Sequence, residues 1–557
     1  MIASRLLIKN RVQRNILVTV VFLIGSYLIT SQYLWNPDPH HDGIMFTAAI
    51  AFVDGLRPNI DYFAQYGPLA SVIQGFGLLL FGKTLMGLRL LTSFLLILTG
   101  LLVSRRIFQI YGLGLGLVFW ISLAVAGPMG LPWSTVITTN LIVIVLFTSF
   151  EVTDHEIHLR PTMLLLGTQI ILVGSLVRIQ LIVIFFALTV VFIINRKFME
   201  KNFLKKFIYC SFFTTTLSVV ILTKLEILPS YIKQSFLWAF NYYATPSITL
   251  TYISGLIWFF IIPLVCYFMY ILVYKSFKFK HKIGYVFLPI IISGLFKVLS
   301  TAYALEETGK QSLFNPSYFF YETLKRSLLS IDYLPISLFV GTTFYLHFLT
   351  KRREVNNALN DHVLLAFGIG TLTQLYPLFD PWHLWMISPI FVMILSLGRY
   401  LRFIPKVHKT TVVIIFGIFT SVSTLGYIKN SSSQSFEFDS KILKGMTSSR
   451  ADARQLDSTL LHLQKEYPGV GQVKFLCTDG LYAAAIQRYM NEDYMFVDWG
   501  LESTKIEAMT KSVFVCDYTK MQIDGFRGNG WNVVFEMPSG HLNHRRDQLN
   551  NALLKRD

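Results

Sequence analysis

Charge is what this chain has least of. Of its 557 residues only 15% are Asp, Glu, Lys or Arg, while 53% are hydrophobic and the mean hydropathy is +0.52. A soluble domain carries about 25% charged residues, so a water-exposed globular fold of this length is excluded. Acidic residues are scarcest, 32 against 49 Lys and Arg, for a net charge of +17. That excess sits in short clusters between apolar runs, as in the cytoplasmic loops of membrane proteins. It argues against a nucleic-acid partner.

Cysteine is nearly absent. The four present (Cys210, Cys266, Cys477, Cys516) show no metal or redox spacing. No small-residue cleavage site follows the first apolar run, so that run is expected to be an anchor and not a signal peptide. No Gly-rich nucleotide fingerprint follows any strand-like run of the C-terminal region; Thr478-Asp479-Gly480 is only a turn signal. No internal repeat is visible, so the pseudo-symmetric halves of many transporters are not supported.

What the chain does have is apolar runs of about 18 or more residues, recurring from 15 to 428. A transmembrane β-barrel would show short alternating segments instead. The reading is a polytopic α-helical membrane protein of about 13 transmembrane helices. It covers residues 1–428, with a first outer loop at 34–83. Arg5, Lys9, Arg11 and Arg14 precede the first span and place the N-terminus in the cytoplasm. Arg105-Arg106 is expected to end the second span on that same side.

A polar linker is expected at 429–450, around Ser431–Ser435, and then a small extracytoplasmic α/β domain at 451–557. In that domain a helix at 450–466 precedes strand-like runs at 473–477, 494–499, 512–516 and 531–537. Strands spaced by helical patterns suggest a largely parallel sheet.

The first outer loop gathers what charge there is. His40, His41 and Asp42 open an amphipathic helix, Arg57 and Asp61 flank a turn, and Tyr62 and Tyr66 lead to a second short helix at Pro68–Phe81. Asp at a helix start caps free N–H groups, but a carboxylate just outside a span also suits proton abstraction from a hydroxyl. His40, His41 and Asp42 could instead share a divalent metal, on weak spacing evidence. Arg178 lies between two apolar arms, 162–176 and 180–195. It either snorkels to the interface or binds an anion such as phosphate in bidentate fashion. Asp380 and His383 mark the outer mouth of a later span and form a second polar cluster.

Over residues 35–105 the pieces carry a family likeness. Asp42-Gly43, then Gly55-Leu56-Arg57-Pro58-Asn59-Ile60-Asp61-Tyr62, Tyr66-Gly67-Pro68-Leu69, Phe81-Gly82 and Gly87-Leu88-Arg89-Leu90-Leu91 follow one another. Their order and spacing resemble the GT-C membrane glycosyltransferases, which include the protein O-mannosyltransferase and lipid A aminoarabinose transferase families. The resemblance implies a GT-C-like fold and an inverting, polyprenyl-phosphate-sugar-dependent transferase of the cell membrane. Its acceptor would be a glycan, a lipid or a protein on the outer face. It implies Asp42 as the base, while His40, His41, Arg57, Asp61, Tyr62, Tyr66, Arg178, Asp380 and His383 are the candidates for substrate binding. Some such families have a second acid between spans 3 and 4. Here that loop reads GPMGLPWSTVITTN, without a carboxylate, which favours a single base and no metal. The alternative is a non-enzymatic carrier or flippase for a lipid-linked sugar. Such a path would need ionisable residues at mid-membrane, and here they gather on the outer side.

Overall fold

The computed structural model describes residues 11–125, 131–153, 156–196, 202–238, 358–375, 381–398, 424–425, 427–450, 452–467, 474–476, 480–485, 512–528, 530–542 and 548–555. Within them the chain is mostly helical. α1 (Arg11–Tyr33) is followed by α2 (His41–Val53), α3 (Pro68–Phe81), α4 (Leu85–Tyr111), α5 (Leu113–Val125) and α6 (Ser134–Ser149). A β-hairpin, β1 (Phe150–Thr153) and β2 (Glu156–Leu159), leads to α7 (Pro161–Gly174), α8 (Leu181–Ile194), α9 (Phe203–Lys224) and α10 (Leu228–Ile232). α11 (Ala358–Leu372) and α12 (Pro381–Leu397) complete the described bundle. Asn15–Tyr33, Leu85–Tyr111 and Phe203–Lys224 are long and apolar enough to cross a bilayer; the other apolar helices run 10–17 residues. The spans expected at 249–274, 283–303 and 334–350, and nearly all of 411–427, lie outside the described residues.

The bundle packs on one apolar core from α1, α4–α9, α11 and α12, with Trp120, Leu146, Leu188, Phe367 and Phe391 among its buried members. Large apolar side chains of α9, such as Phe212 and Phe213, remain exposed, as expected of a face that meets lipid.

The helix ends sort onto two opposite ends of the bundle. At one, the Leu69 amide donates to the Leu176 carbonyl at 3.1 Å, so α3 begins where α7 turns into α8. Gly67 makes this approach possible: its φ is +151°, and a Cβ would stand 2.3 Å from the Leu176 carbonyl oxygen. At the other end, Asn360 donates to the Ile157 carbonyl at 3.3 Å, and His362 meets Asn195 at 3.1 Å. The first outer loop and Arg178 therefore share an end, as the alternation of charged loops predicts.

Arg105-Arg106 does not end α4, which runs on to Tyr111. Arg106 is buried and donates to the carbonyls of Phe147 and Phe150 at 2.6 and 2.7 Å. A helix leaves its last carbonyls unsatisfied; Arg106 supplies the donors for α6, so its charge works inside the bundle and not in a loop.

The segment 429–450 is not a simple linker. It contains a two-stranded antiparallel pair, β3 (Phe436–Glu437) and β4 (Thr447–Ser448), and buries Phe438, Leu443 and Met446. The serine-rich start is exposed, as are Lys441 and Lys444 further along. α13 (Ala453–Glu466), β5 (Lys474–Leu476), α14 (Gly480–Ala485), β6 (Ser512–Thr519), α15 (Lys520–Gly528), β7 (Asn532–Leu542) and β8 (Gln548–Lys555) follow. The sheet order is β5-β6-β8-β7. Among the described residues only β5 and β6 pair in parallel; β6–β8 and β7–β8 are antiparallel. The sheet is thus mixed and not largely parallel, because 548–555, too polar at its start to read as a strand, inserts between β6 and β7. The strand-like run at 494–499 lies outside the described residues.

This region shares a core with the outer loop. Ile44, Phe46, Leu85 and Leu88 pack with Leu443, Leu460, Leu481, Phe514 and Leu553. Gly43 lets α2 and α14 touch: a Cβ there would lie 2.3 Å from the Leu481 amide nitrogen and 2.6 Å from Gly480. The expected boundary at 451 therefore separates sequence styles, not independent packing units.

Candidate active site

Asp42 sits in the first turn of α2 but faces inward, with no solvent exposure. Arg89 on α4 meets it from the core. Arg89 Nε donates to Asp42 Oδ1 at 3.0 Å, and Nη2 donates to Oδ2. Oδ2 also accepts the Asp38 amide at 2.7 Å. The remaining Arg89 donors reach the carbonyls of Tyr33 (3.2 Å), Trp35 (2.7 Å) and Asn36 (3.3 Å). Burial pushes the Asp42 carboxyl up, and the Arg89 guanidinium opposes that shift. With both oxygens engaged and no access to solvent, Asp42 is a structural clamp joining the end of α1, the start of α2 and α4. In this geometry the carboxylate expected to be the base is held by Arg89 and the Asp38 amide. Among the described residues no group of three or more His, Cys, Asp or Glu converges.

Asp38, which sequence reasoning passed over, takes the place beside the histidines. Its Oδ1 accepts the amides of His40 (3.0 Å) and His41 (2.8 Å) and lies 3.3 Å from His41 Nδ1. With Asp42 accepting the Asp38 amide, the two carboxylates form a reciprocal cap at the start of α2, in the manner of a capping box. Burial alone would raise the Asp38 carboxyl. The hydrogen bonds from the His41 side chain and amide, with the charge of the imidazole when it is protonated, outweigh it and hold Asp38 well below the usual carboxylate range. The side chains of His41 and Asp38 keep 41% and 26% of their exposure, so this pair, unlike Asp42, meets solvent. The signal available in the sequence was the Asn-Pro-Asp-Pro run, which fixes an acid just before the helix.

His41 packs edgewise on His40 (ring centroids 4.7 Å apart) and at a tilt on Trp133 (5.2 Å). Trp133 is the residue before α6. Two residues on, the Thr135 hydroxyl accepts from Arg178 Nη1. Arg178 is only 2% exposed. Its Nη2 donates to the Gln374 carbonyl at 2.9 Å, and its guanidinium carbon lies 5.6 Å from the centre of the Tyr66 ring. Arg178 does not snorkel; it is held within the bundle. Thr138 donates to Gln374 Oε1 at 2.5 Å and extends the polar group along α6. The loop before α6, which lacks a second acid, therefore links the Asp38–His41 pair to Arg178.

Other candidates separate from this group. Arg57 is exposed and pairs with Asp61 (3.2 Å) and Glu226 (2.8 Å), tying the loop to the end of α9. Tyr62 is buried and its hydroxyl meets Ser71 at 2.7 Å. These three brace the loop. Asp380 lies outside the described residues; His383 falls in the first turn of α12, with its side chain outside the description.

No protein-family model matches the chain, and no curated protein matches it in sequence. Among solved structures it is similar to ArnT from Cupriavidus metallidurans bound to undecaprenyl phosphate. That likeness has 12% identity over 98% of each chain and a TM-score of 0.44. It is also similar to ArnT from Cupriavidus metallidurans in the apo state, at 12% identity, 96% of this chain, 97% of that one and a TM-score of 0.40.

Proposed function

We propose that this protein is a membrane glycosyltransferase that moves a sugar from a polyprenyl-phosphate donor to a glycan, lipid or protein hydroxyl on the outer face of the cell membrane. The observation that carries the reading is a guanidinium, Arg178, buried at the same end of an apolar bundle as a solvent-reaching carboxylate–imidazole pair. A charge kept at such a depth is a functional feature by default. The motif order of the first outer loop supports the same chemistry. The basic N-terminus and the disulfide-bonded state of Cys516 are consistent with a cytoplasmic start and a C-terminal region in an oxidising compartment.

In this reading His41 is the base. Asp38, held ionised, is a poor proton acceptor but a good partner for Nδ1–H, which leaves Nε2 to take the acceptor proton. The acceptor oxygen then bonds to the anomeric carbon as the bond from that carbon to the phosphate oxygen breaks. Attack from the face opposite the phosphate inverts the centre. The departing polyprenyl phosphate gains negative charge, and Arg178 offsets it. Tyr66 holds the guanidinium plane, and the prenyl chain lies against the apolar helices.

The test is transfer of labelled sugar from polyprenyl-phosphate donors by the purified chain, wild type against His41→Gln and Arg178→Lys. Loss in both variants with intact folding supports the reading. Wild-type rates in both sink it, and translocation of lipid-linked sugar without transfer would favour the carrier.

A further inference from the structure

The Asp38–His41 pair is reached through five residues, Asn36-Pro37-Asp38-Pro39-His40, and both flanks of that run are held by the C-terminal region. On one side the Asn36 amide donates to the Thr447 carbonyl at 2.8 Å, and the Thr447 amide donates to the Leu34 carbonyl at 3.0 Å. Asn36 Oδ1 accepts the Ser449 amide (2.9 Å) and the hydroxyls of Ser448 (3.0 Å) and Ser449 (3.4 Å). On the other side the Leu481 amide donates to the Pro39 carbonyl at 3.2 Å. Asn36 has a left-handed backbone, φ +49°, which Asn tolerates better than most side chains. The prolines after it and after Asp38 have fixed φ. Few free torsions remain between the clamps and the Asp38 carboxylate. Arg450, two residues beyond β4, donates to Asp452 at 2.9 Å, and its guanidinium is raised in part by the Asp38 charge.

These polar bonds are not what docks the C-terminal region. The apolar core of Phe46, Leu85, Leu88, Leu443, Leu460 and Phe514 already does so. What the Asn36 bonds set is the direction in which the chain leaves α1. We infer that Asn36 is a positioning residue, through which the C-terminal region sets the aim of the Asp38–His41 pair. The role of that pair in transfer rests on the function proposed above.

The experiment compares the full chain with Asn36→Ala, which removes the acceptor, and Asn36→Asp, which keeps it and still tolerates the left-handed backbone. Two readouts are taken: kcat and KM for transfer from a polyprenyl-phosphate sugar, and the rate at which diethylpyrocarbonate modifies His41. Exposed His158, at the opposite end, serves as internal reference. The expected result for Asn36→Ala is a kcat at least tenfold lower with KM within twofold, and a His41 modification rate changed at least threefold. Asn36→Asp should restore both to within threefold of wild type. If the wild type transfers no sugar, the functional reading has failed, and the His41 rate alone decides the positioning role. A wild-type rate in Asn36→Ala overturns the inference; a changed rate restored in Asn36→Asp supports it. Should Asn36→Ala fail to fold, Ser448→Ala removes one donor to Asn36 Oδ1 and is judged by the same readouts.

Discussion

Arg89 Nε and Asp42 Oδ1 lie 3.0 Å apart, and neither side chain has any solvent exposure. A buried pair of this kind adds little net stability over an apolar replacement, yet breaking it leaves one charge uncompensated. In this fold the stranded charge would be Arg89, with donors also on three carbonyls of the exit from α1. Asp42→Asn should therefore act on stability first. The expected loss is about 3–5 kcal/mol, read from thermal unfolding in detergent. Any Asp42→Asn protein that folds should keep most of its transfer rate per folded molecule. A loss of activity of about a thousandfold with unchanged unfolding would restore Asp42 as the base.

His41→Gln should behave in the opposite way. The side chain is partly exposed, so unfolding should move less than in Asp42→Asn. Removal of a general base lowers turnover by about 10²–10⁴. Single-turnover kinetics with a labelled donor would separate this from loss of donor binding.

Arg178→Lys keeps the charge and loses the fork that bonds Thr135 and Gln374 together. Turnover should fall by about 10²–10³, the range seen when one charge-stabilising donor is removed. Thr135→Val keeps Arg178 but removes its Nη1 partner and should give a smaller loss in the same direction. Equal donor kinetics in Arg178→Lys and wild type would remove Arg178 from the site.

Asp38 gives a pH prediction. Its folded carboxyl is held below its ordinary value, so it contributes stability above the unfolded value of about 3.9. That contribution is lost as pH falls through the folded value. The thermal deficit of Asp38→Asn should be fully present at about pH 5 and should shrink below about 4. Unfolding of both proteins across pH 3–7 checks it. A deficit that grows on acidification would contradict the assigned direction.

Gly43→Ala tests the docking of α14 on α2. The new methyl would meet the Leu481 amide and Gly480, which are backbone and cannot rotate away. An overpacked contact costs about 1–3 kcal/mol. The C-terminal region should become more sensitive to limited proteolysis, while the bundle fragment stays resistant. Unchanged cleavage of both would show that the interface has slack.

The sequence by itself determined the elements. Apolar runs and Gly-Pro punctuation placed α2, α3, α7 and α8 within a few residues, because in a bilayer every backbone group must be satisfied inside its own helix. The alternation of charged loops also put Arg178 at the end where the first outer loop lies. What local pattern could not decide was which polar residue faces what. Asp38 and Asp42 are both loop-and-helix-start acids four residues apart, and either suits a base by type. Only the tertiary structure separates them: Arg89, 47 positions further along, draws Asp42 into the core, and Asp38 is left beside His41. The same holds for Arg106, whose partners lie on α6, and for residues 429–450, whose polarity suggested a linker until Phe438 and Leu443 met the face of α2 and α4. Roles of charged groups in this protein are set by partners distant in sequence, since a buried charge persists only where the fold supplies its counter-charge or its hydrogen bonds.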